Sequence, residues 1–153
     1  HDHFHGGEIG LWTAFLRDQG VSVLTNRGVR LEHNGASLWL CGVDDLTEAE
    51  PDLAAALAGR RDGEVAILLS HHPDFFFEAA AVDVDLTLAG HTHGGQVAHL
   101  GKVLHHTRLG FWDGMFTEGE SRLFVSRGVG VTFLPVRIGV DAELAFLRLR
   151  TAR

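Results

Sequence analysis

The chain has 153 residues, 45% hydrophobic and 22% charged, with 13 Lys and Arg against 20 Asp and Glu for a formal net charge of −7. That length suits one domain with its own core, and an acidic balance without a basic stripe excludes a general nucleic-acid binder. No stretch reaches the roughly 20 apolar residues of a membrane span, no signal-peptide pattern is visible, and the single Cys41 rules out an intrachain disulfide and reads as a small buried hydrophobe.

Along the chain, residues 8–19 place Ile9, Leu11, Trp12, Phe15 and Leu16 mainly on one helical face, and Gly20 stops that helix. Short strands are predicted over 21–24, 29–32 and 37–43, with Asn34-Gly35 as the hairpin turn between the last two. Pro51 suits the first position of a second helix, which runs to about Ala58. Residues 65–69 are a continuous apolar run, as in a strand buried on both faces; 73–81 read as a helix and 84–89 as a second such strand. Strand, helix, strand in this space is a βαβ unit, so the two strands lie parallel with a right-handed crossover. Residues 123–126 and 143–149 are further predicted strands. Phe75, Phe76 and Phe77 read as a wedge driving one helix into the core. Phe111, Trp112, Met115 and Phe116 read as a satellite core under a loop, with an apolar substrate lip as the alternative. No repeat or linker divides the chain, so residues 1–153 are assigned to one α/β domain.

Eleven histidines stand out, several in clusters: His1, His3 and His5; His71 and His72; His91 and His93; His105 and His106. Ser70-His71-His72-Pro73 follows the first strand of the βαβ unit, and Gly90-His91-Thr92-His93-Gly94-Gly95 follows the second. Parallel neighbours release both loops at the carboxyl edge of the sheet, where open α/β folds place ligands. His71, His91 and His93 are therefore expected to converge. Gly90 is read as letting the chain turn off the strand, and Gly94-Gly95 as turning it away again. Imidazole is a common metal ligand, and two histidines this close can serve one ion or one each of two ions. His99, His105 and His106 border this region or are solvated; Arg127 meets a phosphate or makes a surface salt bridge.

Residues 67–74 (ILLSHHPD) and 84–97 (VDLTLAGHTHGGQV) resemble calcineurin-like metallophosphoesterases, in particular the small bacterial branch that contains membrane-associated phosphodiesterases. Residues 123–130 (LFVSRGVG), 134–137 (LPVR) and, less specifically, 38–45 (LWLCGVDD) carry the same likeness, which thus extends over nearly the whole chain. The resemblance implies the C-terminal portion of a double-sheet sandwich flanked by helices. It further implies hydrolysis of phosphomonoester, phosphodiester or pyrophosphate bonds with two divalent metal ions (Mn, Fe, Zn, Ni or Co). By that likeness His71 and His91 are ligands of one metal and His93 of the other, while His72 has no assigned role. His1-Asp2 looks like the tail of the family's Gly-Asn-His-Asp motif, which would make His1 the catalytic, phosphate-contacting histidine; a His-rich terminus is the alternative.

The family's Asp-x-His pair, bridging Asp and metal-binding Asn have no counterpart in the chain, so a missing N-terminal segment is needed for a full site and activity of the chain alone is in doubt. The rival reading is a non-catalytic remnant or partner-complementing module of the same fold. The implied partners are phosphorylated small-molecule or lipid-linked substrates, with peripheral membrane association suggested by the branch alone. The sequence leaves the location open between cytoplasmic and membrane-peripheral.

Overall fold

The structure is a computed structural model and describes residues 9–97, 109–132 and 134–150. The first helix, α1, spans Ile9–Asp18. Gly20 ends it at φ 78°, with the Gly20 N–H donating to Arg17 C=O and the Val21 N–H to Leu16 C=O, both at 2.9 Å, the paired closure that a left-handed glycine permits. The apolar stripe is real but buries no residue fully; Trp12 and Phe15 pack edge to face on its surface.

Strands β1 (Arg27–His33) and β2 (Ala36–Gly42) form the expected hairpin. Both turn residues, Asn34 (φ 49°) and Gly35 (φ 78°), are left-handed, as a two-residue turn matched to strand twist requires. Helix α2 (Leu53–Leu57) is capped by Asp52, whose carboxylate accepts the Ala55 N–H at 2.8 Å, so Pro51 sits just before the cap instead of opening the helix. Strand β3 (Ala66–Leu69) leads through a 3₁₀ turn, Pro73–Phe75, into α3 (Phe76–Ala80), then to β4 (Leu86–Ala89). A hairpin of β5 (Gly114–Glu118) and β6 (Ser121–Val125) follows.

These strands make one mixed six-stranded sheet, ordered β1-β2-β3-β4-β6-β5. The inner strands β2, β3, β4 and β6 are parallel, and β1 and β5 are antiparallel edges. The α/β class read from the sequence is the one observed. A register row crosses the inner strands through Cys41, Leu68, Thr87 and Leu123, and all four are fully buried. Ala56 of α2 and Phe75 and Ala79 around α3 cover this face beside Trp39 and Val84. Phe76, Phe111 and Phe116 join Leu123 and Val125 in a second cluster. The aromatic wedge thus enters the core through Phe75 and Phe76, while Phe77 remains exposed. Thr87 Oγ1 is buried in that row with no hydrogen-bond partner. On the opposite face, among the described residues, Leu69, Leu88 and Phe124 line a cavity of about 530 Å³ that reaches His71 and Gly90.

Two predicted strands are absent. Residues 21–24 form no strand; the Leu24 carbonyl packs so closely on Gly42 that a Cβ there would overlap it, so this contact requires glycine. Residues 143–149 have the alternating pattern, yet they pair with no strand among the described residues, and Leu144 and Phe146 stand exposed. Period-two alternation specifies a strand only where a neighbour accepts its backbone bonds. Met115 and Phe116, expected in a loop, lie in strand β5, which its antiparallel pairing with β6 sets.

Glu64, 7% exposed, ties the β1–β2 hairpin to the loop before β3. It accepts from Arg30 Nε at 2.7 Å, from Ser37 Oγ at 2.9 Å and from the Arg61 N–H at 3.1 Å. The Arg30 hydrogen bond, against the opposing effect of burial and with help from Arg61 and Ser37, holds the Glu64 carboxyl down at about 2 from 4.5. A carboxyl depressed on folding stabilises above its unfolded pKa and loses that contribution as pH falls through the folded value. Glu64→Gln should therefore lower the thermal midpoint at neutral pH, and the gap to the parent should narrow as pH falls from about 5 toward about 2. Melting curves across that range, with a gap that stays constant or widens, would contradict the assignment.

Candidate metal centre

Because β3 and β4 are parallel neighbours, the loops that follow them leave the sheet side by side. The Ser70 N–H donates to Leu88 C=O at 3.0 Å and the Gly90 N–H to His71 C=O at 3.2 Å, which fastens one loop to the other. Ser70 Oγ donates to the His72 carbonyl at 2.9 Å just before Pro73 begins its 3₁₀ turn. In this frame His71 Nε2 and His91 Nδ1 stand 3.2 Å apart. The His72 ring lies 4.0 Å from that of His91 and 5.2 Å from that of His71, centroid to centroid. One ring nitrogen from each of His71, His72 and His91 falls within 4.8 Å of the others.

His93 takes a different position. Its Nδ1 is 3.3 Å from Gly130 C=O and its Nε2 3.0 Å from the Thr132 hydroxyl. Of the three ligands expected from the sequence, the structure brings His71 and His91 into contact and seats His93 against the 130–132 segment. His1 lies outside the described residues, as do His3, His5, His99, His105 and His106.

The loop turns at Gly94-Gly95 as expected, but not at Gly90. Gly90 has no left-handed φ and open space around it; His91 (φ 68°), His93 (φ 51°) and Gln96 (φ 52°) carry the left-handed conformations, together with Gly94 (φ 63°) and Gly95 (φ 86°). Each non-glycine residue held this way costs on the order of 1–3 kcal/mol and persists only where its surroundings enforce it. The enforcing contacts are present. The buried Thr92 hydroxyl donates to Trp112 C=O and accepts the Gly94 N–H. The Gln96 side chain donates to the Thr132 and Leu134 carbonyls and accepts the Thr132 N–H at 2.7 Å. The Arg137 guanidinium donates to the carbonyls of His93, Arg127, Gly128 and Gly130 at 3.2, 2.7, 3.1 and 2.7 Å. Arg127 itself lies beside Glu143 at 3.6 Å and Asp113 at 4.0 Å, the ion-pair reading of that residue.

Behind the histidines lies a carboxylate that the sequence reading passed over. Asp45 Oδ2 is 3.5 Å from His72 Nε2, and both side chains are more than nine-tenths buried. Burial opposes ionisation of Asp45, but the Thr47 N–H and hydroxyl, the Glu48 N–H and His72 together outweigh it and hold the carboxyl well below the usual range. Its signal was available: β2 is also parallel to β3, so Asp44-Asp45 leaves the sheet at the histidine edge. Desolvation, then neighbouring His72, pushes His71 down to about 4, and desolvation also lowers His72 against the pull of Asp45. Neutral imidazoles have a lone pair to give. Two nitrogens bound at about 2.0–2.1 Å to a tetrahedral ion stand roughly 3.3 Å apart, close to the His71–His91 separation. The donor set fits a borderline transition ion and not the oxygen-seeking Mg or Ca.

The metallophosphoesterase YkuE of Bacillus subtilis is 30% identical to the chain over 98% of its length. A transmembrane protein with a metallophosphoesterase domain from Bos taurus is 33% identical over 97%, and a metallophosphoesterase of Helicobacter pylori 31% over 97%. The chain belongs to the metallophosphoesterase family. It is therefore a member of a hydrolase family, and the histidine cluster is the kind of donor set that family's name requires. The chain spans 54, 37 and 40% of those three relatives' own lengths. No family model and no solved structure matches it. Among the described residues no helix is long and apolar enough to cross a membrane.

Gly94 tests how tightly this metallophosphoesterase loop is held. A Cβ there would stand 2.7 Å from Arg127 Cγ and 2.9 Å from Val140 Cγ1, at a left-handed φ. Gly94→Ala should destabilise by about 2–4 kcal/mol, from the left-handed penalty plus overpacking. Urea denaturation checks this, with Gly90→Ala, which meets no neighbour, expected to cost less.

Proposed function

We propose that residues 1–153 are the C-terminal portion of a single metallophosphoesterase domain that, when complete, hydrolyses phosphomonoester, phosphodiester or pyrophosphate bonds with two divalent ions (Mn, Fe, Zn, Ni or Co). The observation that carries this reading is the 3.2 Å approach of His71 and His91 at the carboxyl edge of a parallel sheet, opening on the 530 Å³ cavity. His71 and His91 hold one ion and His93 the other. His93 would exchange its contacts with Gly130 and Thr132 for the metal, which its ring can do by rotating within a loop that Arg137 and Gln96 keep in place. When bound, the ions supply charge to polarise and orient the phosphoryl group. His1 contacts the phosphate and protonates the leaving oxygen. The substrate is a phosphorylated small molecule or a lipid-linked phosphate, and a lipid-linked one would bring the protein to a membrane surface.

A second reading, a non-catalytic or partner-complementing module, is favoured by one observation: apolar side chains of α1 (Leu11, Trp12, Phe15) and of the 144–149 segment (Leu144, Phe146, Leu149) lie exposed among the described residues. Hydrolysis of bis-p-nitrophenyl phosphate with added Mn separates the two. The chain alone should turn over little or none of it. Co-expression with an N-terminal fragment carrying Asp-x-His, Gly-Asp and Gly-Asn should give activity that His91→Ala lowers at least about 100-fold, the loss expected when a metal ligand goes. A mixture that stays inactive while metal is bound would favour the non-catalytic module.

A further inference from the structure

We propose that Asn34, at the tip of the β1–β2 hairpin, is a self-modification site that deamidates to aspartate and isoaspartate through a cyclic imide, and that the neighbouring His33 ring promotes the step. The chain has two asparagines, Asn26 and Asn34, and the fold treats them in opposite ways. Asn26 is held at both ends of its amide: Nδ2 donates to Glu50 C=O at 2.9 Å, and Oδ1 accepts the Asp44 and Asp52 N–H groups at 2.8 and 2.9 Å. That amide cannot turn toward the nitrogen of the next residue without giving up all three bonds, and the next residue is Arg27, with a long side chain beside the approach.

Asn34 is followed by glycine instead. Every residue from Leu31 to Ser37 is exposed, and a Cβ on Gly35 would meet no atom within 4 Å beyond its chain neighbours, so the Gly35 amide is open on that side. The two-residue turn holds Asn34 at φ 49° and Gly35 at φ 78°. Ring closure takes Asn34 out of this left-handed state, a motion of the hairpin tip alone, and exposed tips open most readily.

His33 supplies the proton. Asn34 Nδ2 lies 3.1 Å from His33 Nε2. The Gly35 nitrogen attacks Asn34 Cγ and gives its own proton to water; a C–N bond forms, and Nδ2 of the tetrahedral adduct is now a basic amine. Protonated His33 passes its Nε2 proton to that amine, the Cγ–Nδ2 bond breaks and ammonia leaves. Water then opens the imide at one carbonyl to give aspartate or at the other to give isoaspartate, whose main chain is one carbon longer. A two-residue turn matched to strand twist has no room for that carbon, so isoaspartate releases the His33–Ala36 pair that ends the ladder.

The test is incubation of the full chain in neutral buffer over days, followed by tryptic digestion and mass spectrometry, with a sample digested at the start as background. Cleavage after Arg17, Arg27, Arg30 and Arg60 puts Asn26 in peptide 18–27 and Asn34 in peptide 31–60. Peptide 31–60 should gain the mass of an amide turned to an acid and divide into aspartate and isoaspartate forms, while peptide 18–27 stays unchanged. His33→Ala should slow the conversion several-fold, short of the roughly 100-fold or more of an enclosed general acid because this ring is exposed. Thermal melts verify that the variant keeps its fold. An unchanged peptide 31–60, equal conversion of both peptides, or conversion in His33→Ala at the parent's rate or faster overturns the inference.

Discussion

Strands β3 and β4 run parallel and adjacent, and the bond from the Gly90 N–H to the His71 carbonyl locks the chain segments that follow them. Paired strands are about 4.8 Å apart. Histidines placed immediately after each one are thereby brought within reach of a single ion without any long-range adjustment. Strand β2 is parallel to β3, so the same constraint delivers Asp45 to the same edge. The helices serve this arrangement from behind: α2 and α3 bury the Cys41, Leu68, Thr87, Leu123 row and so fix the register on which the loop positions depend.

Most of this frame was legible in the residues. Apolar runs at 65–69 and 84–89, with a helix between, leave little choice but parallel strands, and Asn34-Gly35 permits few turns other than the one found. The histidine pairs were legible for the same reason, because their meaning comes from where a strand ends. What escaped was non-local. Residues 143–149 alternate like a strand, yet alternation records which side of a chain is apolar and says nothing about whether a partner is there. Strand β5 is the converse, a segment of weak pattern made into a strand by β6. His72 has no assigned role in the family likeness, and only the folded loop shows that both the His71 and the His72 ring reach His91.

The geometry of the second loop is held from outside itself. His91, His93 and Gln96 are left-handed, and the groups that keep them so belong to Trp112, Thr132, Leu134 and Arg137. Those residues lie far along the chain and mostly in segments without regular structure. Irregular backbone here does what a helix or strand does elsewhere: the Arg137 guanidinium gathers the carbonyls of His93, Arg127, Gly128 and Gly130, beside the Gln96 N–H that also reaches His93 and the Glu143 N–H that also reaches Gly128. A precise loop does not need a long element, provided each of its carbonyls is spoken for.

Thr87 sits in the fully buried row between Leu68 and Leu123, and its hydroxyl has no partner. A buried polar atom left unsatisfied costs about 1–3 kcal/mol, and β-branched Val fills nearly the same volume without it. The protein therefore holds stability in reserve at the centre of its sheet. An engineer could recover it there while leaving every residue at the histidine edge as it is, which makes Thr87 the natural first position for hardening the scaffold before its chemistry is altered.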